Sequence, residues 1–210
     1  MQKAACLEVR PPFSLIETLR FENGAYVRLD AHLRRLRESA DYFGFVYDEP
    51  AVRAAISPPD RSPSRVRLTL DSAGTAVVAH EPLDPTPEAP TCALATTPVD
   101  SSSRWLFHKT TRREVYDHHK AAHPDVWEVL LWNERRELTE FTRGNVVLEL
   151  DGRMLTPARG CGLLGGVFRQ ELIDSGQIAE AVITVSDLGR ASRVWFVNSL
   201  REWIEVGRGL

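Results

Sequence analysis

Between Glu81 and Pro90 the chain places four prolines, Pro82, Pro85, Pro87 and Pro90, within ten residues. A ring that fixes φ and removes the backbone N–H is excluded from helix interiors and central strands. The stretch therefore reads as a stiff, extended connector that divides the chain. Residues 1–81 are expected to form a small N-terminal α/β domain, 82–98 an interdomain linker with the first strand beyond it, and 99–210 a larger, β-rich C-terminal α/β domain. A chain of 210 residues, 43% of them hydrophobic, supports two such cores.

Ahead of the connector, Phe13 to Phe21 reads as a strand, Asn23-Gly24 as a tight turn and Tyr26-Val27-Arg28 as the returning strand of a hairpin. Asp30 is placed as the N-cap of a helix whose apolar stripe is Leu33, Leu36, Ala40 and Phe43, closed by Gly44. A second helix covers about Glu49 to Ile56, then Val66, Leu68 and Leu70 alternate as a strand that returns over Thr75 to Ala79. Beyond the connector, Thr91–Thr97, Val126–Trp132, Asn145–Leu150, Met154–Thr156, Ala181–Val185 and Val194–Val197 read as strands. Helices are expected over Arg112 to Ala122, from Gly165-Gly166 to Ser175, and in a short turn capped by Ser186.

The charge balance narrows the partners. With 26 Lys+Arg against 29 Asp+Glu and no long basic run, nucleic acid is not expected. No stretch reaches the roughly 18–20 apolar residues of a membrane span, and Met1 to Arg10 lacks the pattern of a signal peptide, so a cytoplasmic protein with a small-molecule substrate is expected. Cys6, Cys92 and Cys161, three and widely spaced, read as free thiols. His118 and His119 point about 100° apart on a helix, so they are assigned to solvated surface and no metal is expected.

Four features carry chemical potential. His32 and Arg35 are three apart on the first helix, off its apolar stripe, where an arginine fork suits phosphate or carboxylate; equally, Arg34, Arg35 and Arg37 would solvate that face. Lys109 ends the apolar run Trp105-Leu106-Phe107, where desolvation would favour a nucleophilic amine, although strand-end lysines also reach water. Glu140 lies between strands, either facing a cationic ring nitrogen or exposed on a loop. Gly165-Gly166 opens a helix whose free N–H groups suit an anion. Together these are the parts that hold pyridoxal 5′-phosphate.

In this order and spacing the chain resembles the class IV aminotransferases, the fold-type IV pyridoxal-phosphate enzymes, over Phe13 to Val206. The motifs are Leu15-Ile16-Glu17-Thr18-Leu19-Arg20, Arg28-Leu29-Asp30-Ala31-His32-Leu33-Arg34-Arg35-Leu36, His108-Lys109-Thr110-Thr111-Arg112-Arg113, Leu138-Thr139-Glu140 and Gly162-Leu163-Leu164-Gly165-Gly166-Val167. Within the family, Val129-Leu130-Leu131-Trp132-Asn133-Glu134 and Val197-Asn198-Ser199-Leu200-Arg201-Glu202-Trp203 are similar to the aminodeoxychorismate lyases, especially the lyase-like part of fused synthase–lyase chains.

The resemblance makes Lys109 the Schiff-base lysine and proton carrier, and places Thr18 where the lyases carry a threonine that assists proton transfer at the leaving group. Arg35, the backbone N–H groups of Val167 and Phe168, and Ser199 and Leu200 would bind the cofactor phosphate, and Glu140 would pair with the pyridine nitrogen. Arg20, Arg143 and Arg201 are candidates for substrate carboxylates. The implied reaction removes pyruvate from aminodeoxychorismate to give 4-aminobenzoate for folate synthesis. The alternative is transamination of D-amino or branched-chain amino acids, and a third reading is a scaffold without turnover. A homodimer is implied, with Trp105, Phe107 and Trp127 either at its interface or in the core, and a separate aminodeoxychorismate synthase as functional partner. Three departures from the family stand out: Phe141 replaces the usual Gly after the acid, Phe168 the usual Thr in the phosphate helix, and Pro11-Pro12 stands where relatives add a strand.

Overall fold

Alternation of apolar and polar residues builds the first sheet. In the computed structural model, which describes residues 12–208, β1 (Leu15–Glu22) and β2 (Ala25–Val27) form a hairpin. Asn23 and Gly24 take the positive φ values, 53° and 79°, that such a two-residue turn requires. β3 (Ser64–Leu70) pairs with β1, and β4 (Ala76–Pro82) closes the antiparallel order β2-β1-β3-β4. Ser64, Val66, Leu68 and Leu70 all face inward along β3, the period of two that a one-sided sheet imposes. Two expectations, the thiol at Cys6 and the absence of a signal peptide in Met1–Arg10, fall outside the described residues.

α1 (Leu29–Phe43) covers the inner face through Leu33, Leu36 and Ala40, which pack with Leu15, Leu68, Leu70 and Val52. Each such leucine contributes about 1.5–3 kcal/mol by burial. Asp30 is not the cap: that position belongs to Arg28, held left-handed at φ 58°, while Asp30 lies inside the helix and pairs with Arg53 at 2.6 Å. α2 (Glu49–Ala55) is capped by Asp48, which accepts from the Ala51 N–H. β4 runs through Pro82, opposite Ser64, so the connector starts one residue later than its first proline; β4 is an edge strand, where a missing N–H is tolerated.

The rest of the chain contributes β5 (Thr91–Leu94), α3 (Glu114–Ala121), β6 (Glu128–Trp132), β7 (Leu138–Phe141), β8 (Asn145–Leu150), β9 (Arg153–Pro157), α4 (Val167–Asp174), β10 (Ala179–Ala181), α5 (Val185–Leu188), β11 (Arg193–Asn198), β12 (Glu202–Glu205) and β13 (Gly207–Arg208). Two sheets result, ordered β13-β5-β6-β7 and β10-β9-β8-β11-β12. Leu130, Leu138 and Phe141 of the first share a core with Val146, Leu148, Val194 and Phe196 of the second. This mixed α/β architecture is the fold expected.

Several local expectations are corrected. Arg104–Leu106 is a 3-10 turn rather than a strand end, because Ser103 and Arg104 carbonyls close onto Leu106 and Phe107. The strand expected over Ala181–Val185 stops at Ala181, and α5 is capped by Thr184, not Ser186, in a reciprocal box with Asp187. Glu140 is not a loop residue: it sits within β7, every residue of which is buried. His119 is buried on α3, and only His118 is solvated. Among the described residues there is no metal-type cluster and no helix long and apolar enough to cross a membrane. Cys92 and Cys161 are buried free thiols.

Candidate active site

A cavity opens between the inner ends of these sheets, lined by residues from β1, β3, α1, β7, α4 and the turn after β11. The segment before α3 is stitched along β1, with Ile16 N–H donating to the Lys109 carbonyl at 2.9 Å and Thr111 N–H to Ser14 at 2.9 Å. That pairing presents the Lys109 side chain to the cavity. Burial, and then the charges of Arg35 and Arg113, push its amine down to about 8, against the opposing pull of Glu17 and Glu140.

Glu140 is 3% exposed. Tyr116 O–H donates to its Oε1 at 2.8 Å and the Leu164 N–H to the same oxygen at 3.2 Å, while Asn145 Nδ2 lies 3.4 Å from Oε2. Burial nevertheless dominates and pushes the carboxyl up to about 7. A carboxyl at that level, facing a cavity that also holds a depressed lysine, is matched to a basic ring nitrogen with which it shares a proton.

Arg35 does not solvate its helix. It forks onto Glu17, Nε to Oε1 at 2.8 Å and Nη2 to Oε2 at 2.5 Å, and Nη1 reaches the Gly165 carbonyl at 3.2 Å. His32 is buried beside it, Nδ1 at 2.7 Å from Glu17 and Nε2 at 2.8 Å from Ser199 Oγ. Burial alone would raise the Glu17 carboxyl, but the Arg35 charge and His32 outweigh it and hold it at about 2. These contacts bring α1 against the Gly166 cap of α4. A Cβ at residue 166 would lie 2.0 Å from Asn145 Oδ1, and Asn145 is fixed by donating to the Leu164 carbonyl at 2.8 Å, so glycine is required there. Gly166 and Val167 line the cavity, so the first turn of α4 borders it, as an anion site needs.

Of the expected site residues, Lys109, Thr18, Arg35, Glu140, Val167, Ser199, Leu200, Arg143 and Arg201 line one cavity. Phe168 does not. Its ring packs with Val147, Leu172 and Val197 below the helix, leaving only its N–H for the role assigned to it. Leu200 N–H already donates to Asn198 Oδ1 at 3.0 Å. Phe141 is a cavity wall, its ring 5.8 Å from Phe196. Arg143 pairs with Glu128, and Arg201 Nη1 donates to the Asp84 carbonyl at 2.8 Å and Thr86 at 2.9 Å. Arg20 pairs with Glu22 at 2.6 Å and is not among the lining residues.

Sequence reading passed over Glu17, Tyr116, Asn145, Arg65 and Arg67. The last two were recoverable: register sets Arg67 opposite Thr18, and Arg65 follows on the same face of β3. The cavity wall then carries seven arginines, Arg35, Arg65, Arg67, Arg112, Arg113, Arg143 and Arg201, against three carboxylates, Asp84, Glu128 and Glu140. Such an excess selects anionic ligands.

A depressed lysine, a buried carboxyl raised toward neutrality and an arginine beside an open helix N-terminus are the donor set that fits pyridoxal phosphate, and their arrangement defines a fold-type IV enzyme using that cofactor. The chain belongs to the class IV amino-transferase family, whose model matches residues 14–208. A Schizosaccharomyces pombe protein described as "Putative aminodeoxychorismate lyase" is 29% identical over 203 residues, 90% of this chain and 87% of its own. A Mesorhizobium loti crystal structure described as an amino-acid aminotransferase of that same provisional kind is 38% identical, with a TM-score of 0.88, covering 93% of this chain and 99% of the other. A 4-amino-4-deoxychorismate lyase from Pseudomonas aeruginosa shares the fold at 20% identity, TM-score 0.81, covering 93% and 82%.

Proposed function

We propose that this chain is a pyridoxal-phosphate-dependent lyase that removes pyruvate from 4-amino-4-deoxychorismate and leaves 4-aminobenzoate. The observation that carries the reading is the arginine-rich wall around Thr18, contributed by Arg65, Arg67, Arg143 and Arg201. A substrate with two carboxylates, one on the ring and one on the enolpyruvyl ether, needs such a wall. Resemblance to relatives described as lyases supports it.

In this reading Arg35, the Val167 and Phe168 N–H groups and Ser199 hold the phosphate, with Leu200 alongside. Glu140 holds a proton at the pyridine nitrogen. Bound pyridoxal phosphate supplies an electron sink for the pair released when a C–H bond breaks. Lys109 would hold the cofactor and its free amine would take the proton from the ring carbon bearing the substrate amine; its depressed basicity keeps a neutral fraction available near pH 7. Thr18, which lines the same cavity, would assist proton transfer at the departing enolpyruvyl oxygen. Loss of pyruvate makes the ring aromatic, so no second amino acid is needed. The site would lie between the domains of residues 1–81 and 99–210, in a homodimer, with a synthase providing the substrate.

Transamination of D-amino or branched-chain amino acids is the second reading, favoured by the likeness to the Mesorhizobium loti structure. The deciding experiment supplies enzymatically made aminodeoxychorismate to the cofactor-loaded protein and follows 4-aminobenzoate and pyruvate. Equal release of both, abolished together with the visible cofactor absorbance in Lys109→Ala, is expected. A yellow protein that releases neither, yet exchanges amino groups with amino acids, is the transaminase.

A further inference from the structure

The first helix's His32 has no part in the chemistry above, yet it is 2% exposed and bonded at both ring nitrogens, to Glu17 at 2.7 Å and to Ser199 at 2.8 Å. We propose that Glu17, His32 and Ser199 form a proton relay, so that a phosphate-like dianion entering the site is bound together with one proton taken up at His32. The inference deepens the proposed function and rests on its placement of the cofactor phosphate beside Ser199.

The argument follows from counting protons. Glu17, held anionic by Arg35 and His32, is an acceptor only, so Nδ1 carries the hydrogen between them. In a neutral ring Nε2 is then bare, and the one proton on the Ser199 hydroxyl points inward to it. Ser199 is 7% exposed, and in that state it offers the cavity lone pairs alone. A dianion is also acceptor-only. Turning the hydroxyl outward would leave a buried Nε2 without a partner.

Protonation resolves the conflict. A hydronium ion gives up one O–H bond as its proton forms Nε2–H; the Ser199 hydroxyl turns its hydrogen from Nε2 to the anion, the new Nε2–H donates to Ser199 Oγ, and release of the anion reverses each change. Four charges face the ring. Glu17 on β1 and the arriving dianion favour the imidazolium, whereas Arg35 on α1 and Lys109 before α3 oppose it. Burial, Arg35 and Lys109 together outweigh Glu17 and keep the ring below its ordinary basicity. The dianion sits against those same cations and cancels their opposition. His32 is therefore a positioning residue that acts through Ser199.

The test uses full-length protein with ¹⁵N-labelled histidine rings, whose nitrogen shifts separate the neutral ring from the imidazolium. Sulfate is the probe, because it does not titrate near neutrality. At pH 7.5 the His32 signal, identified by its loss in His32→Gln, is expected to be neutral with hydrogen on Nδ1 and to become doubly protonated as sulfate saturates. Ser199→Ala, which leaves Arg35 and α4 in place, is expected to bind sulfate while His32 stays neutral. Should His32→Gln fail to fold, sulfate affinity in a Lys109→Ala background replaces the assignment: it is expected to weaken about tenfold per pH unit above the His32 titration, and to lose that slope when Ser199→Ala is added. A neutral ring with sulfate bound, or no sulfate binding, overturns the relay. The two proposals fail separately: pyridoxal phosphate bound with a neutral ring sinks the relay alone, and sulfate-driven protonation without cofactor binding sinks the enzyme assignment alone.

Discussion

Glu17 and Glu140 are buried to nearly the same degree, 1% and 3% exposed, beside the same cavity, yet one carboxyl is held at about 2 and the other raised to about 7. Desolvation pushes both upward. The difference comes from their partners: Glu17 meets the full charge of Arg35 in a two-pronged contact and the ring of His32, whereas Glu140 is bonded only by neutral groups, the Tyr116 hydroxyl, the Leu164 N–H and the Asn145 amide, and the charges of Lys109 and Arg113 do not outweigh its burial. A buried acid is a permanent anion where it is forked by a cation, and an adjustable proton holder where its direct partners are dipoles.

Removing each acid tests that contrast. Glu17→Gln strips the counter-charge from a buried pair and should cost about 3–5 kcal/mol in chemical unfolding. Glu140→Gln should leave the fold and cofactor absorbance in place but slow turnover by about 10²-fold or more; unchanged turnover would remove Glu140 from its role. In the cofactor-free protein the two acids give opposite pH dependences. The depressed Glu17 contributes stability that is complete above its ordinary 4.5 and lost as pH falls toward 2. The raised Glu140 contributes stability present below 4.5 and lost as pH rises to about 7, on the order of 3 kcal/mol. Between pH 4.5 and 7 the native chain should therefore lose stability relative to Glu140→Gln, the difference between the two unfolding curves isolating Glu140 from the depressed histidines that titrate in the same window. Tyr116→Phe has the smallest effect, about 1 kcal/mol for one hydrogen bond, and should move the Glu140 titration further up because its donor is gone.

The amphipathic pattern that revealed α1 also set His32 and Arg35 on one side, but not that this side is buried. Their partner Glu17 comes from a strand, and only the pairing of α1 with β1 joins them. Glu140 escaped as a strand residue for a related reason: β7 has four residues, all buried on both faces, so it shows no alternation. β12 shows no contrast of faces either, Glu202–Glu205 being half-buried or exposed throughout. By contrast, the proline connector, the Asn23-Gly24 hairpin and the glycine-led α4 were legible because backbone chemistry alone specifies them. Lys109, Arg35 and the start of α4 were placed through resemblance to a family, and the arginine wall emerged once register put β3 beside Thr18.

Arg28 deserves its left-handed backbone for what its side chain spans. It reaches Glu171 on α4 at 2.5 Å and Glu202 on β12 at 3.0 Å, with its guanidinium 4.4 Å above the Phe168 ring. It is the cross-brace of the molecule, fixing the gap between the helix that carries Arg35 and the helix that offers its amides. With Glu171 and Glu202 both tied to one side chain at the entry to α1, the Arg35 guanidinium and the amides of α4 are held as one frame.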